Sequence, residues 1–280
     1  MILPFANSTI QKIDVILQNP NRVYLLYGDK YIGKYFTSRY IASQLLQDEK
    51  ITHYDYVHPA LYCLSKDIDY KAISIADVRS LTESIWHTSY SGLLRKVIII
   101  RNIDNITESA ANALLKNLED TPEKTTIILT ADNLQGVMPT IRSRSQLIYC
   151  RPDKSKAIDY LSRFYNVDVK QAEQFMEIAN DRLFRAIENL DEQTYQNSKY
   201  IHNITASFIE GSITERFNIA KQVHDKKLGQ EFLTGLIYAT SKQSTILYDR
   251  LDFVESIMRA LEQTRNNVNV RIAIENLALR

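Results

Sequence analysis

The sequence predicts an α/β domain on a parallel sheet over residues 1–150, followed by an all-helical remainder. Two observations carry this. Short, continuous apolar runs rich in β-branched residues alternate with helical periodicity in the first half, and after Pro152 there is no further proline and only Gly211, Gly229 and Gly235. Runs of the first kind fit strands covered on both faces by crossover helices. A long stretch poor in both breakers favours helix.

Val23-Tyr24-Leu25-Leu26-Tyr27 is such a run and ends at Gly28; Tyr35 to Leu46 follows with helical spacing. A second strand is expected at Lys96 to Ile100, with Thr107 to Leu118 as the next helix. A third is expected at Thr126 to Leu129, and a weaker fourth at Gln146 to Tyr149. Amphipathic patterns such as Ile158-Leu161-Phe164 and Phe232-Leu236-Ile237 recur beyond Pro152. A polar stretch around Asp191 to Ser198 divides them into a small helical unit, 151–192, and a larger one, 193–280.

Of 280 residues, 45% are apolar and 24% charged, with a formal charge of +1. This is the composition of a globular protein and argues against disordered or fibrous classes. Neutrality names no special partner and does not exclude DNA contact. No run approaches a membrane span, and Met1 to Asn7 lacks the features of a secretory signal, so a cytoplasmic protein without a membrane partner is expected. Cys63 and Cys150 stand far apart without further ligands at metal spacing, so both read as reduced structural thiols. Trp86 and the many tyrosines read as packing and surface residues.

Gly28-Asp29-Lys30-Tyr31-Ile32-Gly33-Lys34-Tyr35 matches the phosphate-loop pattern G-x-x-x-x-G-K and fails at its last position, where Ser or Thr should stand. In that geometry Gly28 and Gly33 let backbone N–H groups face phosphate oxygens, Lys34 reaches the outer phosphates, and the helix N-terminus adds positive dipole. The Tyr35 phenol is too far from the backbone to replace the magnesium-binding hydroxyl. A metal-binding carboxylate is expected at the end of a second strand. Arg101 and Asn102 stand there instead, and Asp104 comes two or three positions late. With two catalytic parts damaged, hydrolysis by this chain is not expected. Whether the loop still holds ATP or ADP is left open.

Ala110 to Glu119, Thr126 to Thr130 and Met138-Pro139-Thr140-Ile141-Arg142-Ser143-Arg144 together resemble the AAA+ modules of bacterial DNA polymerase III clamp loaders, most of all their delta-prime subunits. His58-Pro59, Asp77-Val78-Arg79 and Asn267 to Leu277 add to the likeness, whereas residues 155–260 add only helicity. The resemblance implies a RecA-like AAA+ domain (1–150), a helical lid (151–192) and a helical collar for oligomerisation (193–280). It also places Ser143-Arg144-Ser145 where the family has Ser-Arg-Cys. Arg144 would then be an arginine finger acting in trans on a neighbour's ATP, supported by Ser143; a permanently charged fork suits phosphate oxygens.

By the same resemblance Thr130, with Asn133 as the alternative, stands at the polar sensor of the γ-phosphate. A later sensor arginine would align near Phe184, with Arg185 one place off. Many relatives carry a four-cysteine zinc module, whereas Tyr54 to Leu64 offers only Cys63, and His53 and His58 do not complete a site; no zinc and no required cofactor are expected. The partners implied are gamma/tau-like ATPase and delta-like subunits, with the sliding clamp and primer–template DNA reached through the assembly. The leading expectation is a non-hydrolysing stator. The alternatives are an active gamma/tau-like ATPase subunit and a binding module with a purely structural nucleotide.

Overall fold

The computed structural model describes residues 3–20, 23–53, 55–64, 72–87, 95–242, 248–265 and 268–279. Along the chain run α1 (Asn7–Gln18), β1 (Val23–Tyr27), α2 (Lys34–Leu46), β2 (Leu61–Leu64), α3 (Ile75–His87), β3 (Lys96–Ile100), α4 (Glu108–Glu119), β4 (Thr125–Ala131), α5 (Pro139–Ser143) and β5 (Gln146–Tyr149). The helices α6 (Lys154–Tyr165), α7 (Val169–Ile178), α8 (Leu183–Glu188), α9 (Glu192–Glu210), α10 (Ile213–Gln222), α11 (Lys226–Lys242), α12 (Tyr248–Arg265) and α13 (Val270–Ala278) complete it.

The strands form one parallel sheet in the order β2-β3-β4-β1-β5. Its two faces explain the unbroken apolar runs, because successive strand side chains point to opposite faces. Val23, Leu25, Ile98, Ile100, Ile127 and Leu129 pack on one face with Val78 of α3 and Ala110, Ala111, Leu114 and Leu118 of α4. Tyr24, Leu26, Val97, Ile99, Ile128 and Ile148 pack on the other with Ile13 and Ile16 of α1 and Ile41 and Ala42 of α2. Both faces of the central strands are therefore dry, which is why Val23 to Leu26 of β1 and Val97 to Ile100 of β3 are apolar and buried at every position.

The four strands read from sequence are present, with β4 extended to Thr125 and Ala131. Strand β2 escaped that reading. It is a four-residue edge strand whose side chains stay partly exposed, so it carries no continuous buried run. Helix α4 starts at Glu108, one residue after the expected start, because Thr107 is its N-cap, its hydroxyl accepting from the Ala110 N–H at 3.3 Å.

The chain divides into two compact units, one of residues 1–169 with 182–184, the other of 170–181 with 185–280. The second has its own core, in which Phe208 of α9, Ile219 of α10, Phe232 and Leu236 of α11, Ile257 of α12 and Ile274 of α13 are buried together. The segment beginning at Asn267 that resembles a collar helix includes α13, whose N-cap is Asn269; Asn267 itself, Tyr54 and the Trp86 side chain lie outside the described residues.

Candidate functional site

In open α/β sheets the carboxyl ends of the strands, where the strand order reverses, form the ordinary ligand crevice. The loop joining β1 to α2 lies there, beside the ends of β4 and β5, the two neighbours of β1. Gly28 and Gly33 have φ of +147° and +102°, backbone that L side chains avoid. Space is denied as well. A Cβ at Gly33 would lie 2.7 Å from the Phe184 ring and one at Gly28 2.8 Å from Ile32 Cδ1. Phe184 N–H also donates to the Tyr31 carbonyl at 2.9 Å, so residues 182–184 and the loop are packed together.

Lys34, the first residue of α2, is only 6% exposed. Its ammonium donates to the carbonyls of Gly28 (2.8 Å) and Asp29 (2.6 Å) and pairs with Asp132 Oδ1 at 2.8 Å. An ammonium has three donors, and three acceptors are met inside the chain. The positive charge that the motif reserves for phosphate is thus offset by a carboxylate just past β4.

Asp132 is held by a second acid. Asp104 Oδ2 accepts the backbone N–H groups of Asp132 (3.0 Å) and Asn133 (2.8 Å). Burial pushes the Asp104 carboxyl above its usual range; the Asn133 N–H pulls it down and the Asp132 charge pushes it up again. Thr130 is buried, and its Oγ1 accepts from the Asn102 N–H at 3.2 Å, tying the end of β4 to the turn after β3. Asn133 Oδ1 accepts from the Gln135 N–H at 3.0 Å. Both polar residues placed at the sensor position therefore make local backbone bonds.

The two departures from the motif meet each other. The Arg101 guanidinium lies 4.0 Å from the centroid of the Tyr35 ring, on which a cation is electrostatically favoured. Arg39, itself buried, donates to the Tyr35 hydroxyl at 3.2 Å and to the carbonyls of Ile51, His53 and Tyr56 at 2.6–2.9 Å. Burial, then the neighbouring Cys63, raises the Tyr35 hydroxyl above its ordinary value, so it stays neutral. The next hydroxyls along α2 do not replace the missing one: Thr37 donates to Gly33 O at 2.9 Å and Ser38 to Tyr35 O at 2.7 Å.

Arg144 caps the C-terminus of the short helix α5 and is exposed. Its Nε donates to Glu119 Oε1 at 2.7 Å, its Nη2 pairs with the same oxygen, and its Nη1 donates to the Thr140 carbonyl at 3.1 Å. The Ser143 hydroxyl donates to that carbonyl at 3.0 Å. Arg185 pairs with Glu188 at 2.8 Å and Glu231 at 3.0 Å.

Among the described residues no group of three or more His, Cys, Asp or Glu could hold a metal ion. His58 Nδ1 accepts the Ala60 N–H at 3.1 Å, and Cys150 is buried, its thiol pushed up to about 12 by desolvation and drawn down in part by Lys34. The sequence reading missed Asp132, Asp104 as a brace, Arg39 and Glu119. Asp132, Asp104 and Glu119 act on residues distant in the chain, and no local pattern marks such partners; Arg39 reaches Tyr35 one helical turn away but also carbonyls 12–17 residues on.

The parallel sheet, the phosphate-loop outline and the following helices define an AAA+-type fold. Two Thermotoga maritima proteins share it at low identity: a DNA polymerase III gamma subunit-related protein (TM-score 0.58, 15% identity, 97% of each chain) and the RuvB Holliday junction branch migration motor (TM-score 0.50, 14% identity, 78% of this chain and 82% of that one). Residues 7–154 match the family model described as DNA polymerase III, delta subunit, and the chain belongs to that family. Among its relatives are the DNA polymerase III delta' subunits of Escherichia coli (33% identical over 108 residues, 38% of this chain and 32% of that protein) and Pseudomonas aeruginosa (29% over 153 residues, 50% and 46%). The matched stretch thus spans less than half the length of these relatives.

Proposed function

We propose that the chain is a delta'-like clamp-loader subunit that does not hydrolyse ATP itself and lends Arg144 to the ATP site of a neighbouring subunit. The contrast between two basic residues carries this reading. Lys34 is buried with its three donors satisfied, whereas Arg144 is exposed at a helix end. A magnesium-bound nucleotide does not fit the residues around the loop: position 35 offers an aromatic face already carrying Arg101, and Lys34 would have to leave Asp132. In this reading the loop carries out no hydrolytic step. The same contacts weigh against an active gamma/tau-like ATPase and against a structural nucleotide plug.

A guanidinium presented in trans stabilises charge building on the transferred phosphoryl oxygens without needing chemistry of its own. The partners in this reading are a gamma/tau-like ATPase subunit, a delta-like subunit, the sliding clamp and primer–template DNA, in the cytoplasm. The test is reconstitution with those components and comparison with Arg144→Ala. Clamp- and DNA-stimulated ATP turnover should fall, by roughly 10³-fold or more at the affected site. Unchanged turnover in an intact assembly sinks the finger assignment, and magnesium-dependent hydrolysis by the isolated chain, abolished in Lys34→Ala, sinks the non-hydrolysing half.

A further inference from the structure

Two segments far apart in sequence meet at one ion pair. Glu119 is the last residue of α4, and Arg144 follows α5. One carboxylate oxygen of Glu119 takes both Nε and Nη2 of the guanidinium, while the Thr140 carbonyl takes Nη1. Neither residue is buried, with side chains 36% (Arg144) and 49% (Glu119) exposed, so the pair is not core packing.

The position of Glu119 is informative because a helix C-terminus carries negative partial charge and disfavours a carboxylate. Asp120 follows it directly; Lys116 lies in the same last turn, and Arg144 is the cation that pairs directly with the Glu119 carboxylate. The converse matters more. A lone exposed arginine samples many rotamers, whereas this one is held from two sides. Of its five N–H donors three are engaged among the described residues, which leaves two for one further anion.

We propose that Glu119 is a positioning residue for Arg144. It fixes the guanidinium in a single orientation with two N–H groups free, so that docking against a neighbour's phosphates needs no rotamer search. The inference rests on the reading of Arg144 as a trans finger and adds the group that orients it. Glu119 does not touch the nucleotide in this scheme. Its effect passes through Arg144, and orientation of a charged group before reaction contributes to rate rather than to substrate binding.

The experiment uses the reconstituted loader with clamp and primed DNA, and compares wild type, Glu119→Ala, Glu119→Gln, Arg144→Ala and the double variant Glu119→Ala/Arg144→Ala. Glu119→Ala should lower the maximal ATP turnover on the order of five- to tenfold with little change in KM for ATP. Glu119→Gln keeps an oxygen that accepts both N–H groups and should recover most of that loss. The double variant should be no slower than Arg144→Ala, because the two act as a unit.

Normal or raised turnover in Glu119→Ala, with Arg144→Ala impaired, overturns the positioning role and leaves the finger standing. Normal turnover in Arg144→Ala overturns both. Loss of assembly in Glu119→Ala, followed by size-exclusion chromatography, also overturns it, since the pair would then be serving the interface.

Discussion

Replacing Lys34 by Met separates a structural lysine from a phosphate ligand. The ammonium makes two hydrogen bonds to carbonyls and one ion pair, all at 2.6–2.8 Å, in a site only 6% exposed. Breaking a fully buried pair costs about 3–5 kcal/mol. Asp132 is a third exposed and can rehydrate, and Met fills part of the lysine volume, so the expected loss is about 2–3 kcal/mol. Urea unfolding of the two proteins without nucleotide measures it. Magnesium-ATP should leave the thermal midpoint of the wild type unmoved; a ligand present at 100 times its Kd would add about 2.7 kcal/mol and raise the midpoint by roughly 5–10 °C. A Lys34→Met protein as stable as wild type, together with a wild type stabilised by ATP, would refute the argument.

Two further outcomes concern stability. Asp104 has a carboxyl raised by burial, so between its unfolded and folded pKa values the folded state binds more protons and stability falls as pH rises. Asp104→Asn lacks this titration, and the stability of wild type relative to it should grow from about pH 7 toward about pH 4; urea midpoints across that range check the sign, and a flat difference would contradict it. Leu25→Ala, at a fully buried position in the middle of β1, should cost about 2–5 kcal/mol by the same unfolding assay.

The fold was readable where burial was complete. Val23 to Tyr27 and Val97 to Ile100 are apolar throughout because helices cover both faces of the sheet, and a two-sided requirement leaves a continuous trace in the chain. Leu61 to Leu64 lies at the sheet edge, half wet, and left no such trace. The site was readable only as a local pattern. Gly28, Gly33 and Lys34 stood out by spacing, and Tyr35 and Arg101 as departures from it; nothing in that pattern said that Arg101 would sit on the Tyr35 ring or that Asp132 would take the lysine charge.

Residue type and short spacing suffice for properties set by neighbours along the chain, such as the glycine turn, the presence of a helix after it and the absence of a hydroxyl at 35. Charge balance between distant residues is of another kind. Lys34 with Asp132, Asp104 with the end of β4, and Arg144 with Glu119 are brought together by strand order and helix crossings. Each pair depends on distances of a few ångströms that only the packed sheet and its helices impose, and those distances decide which cation is spent inside the fold and which is left at its surface.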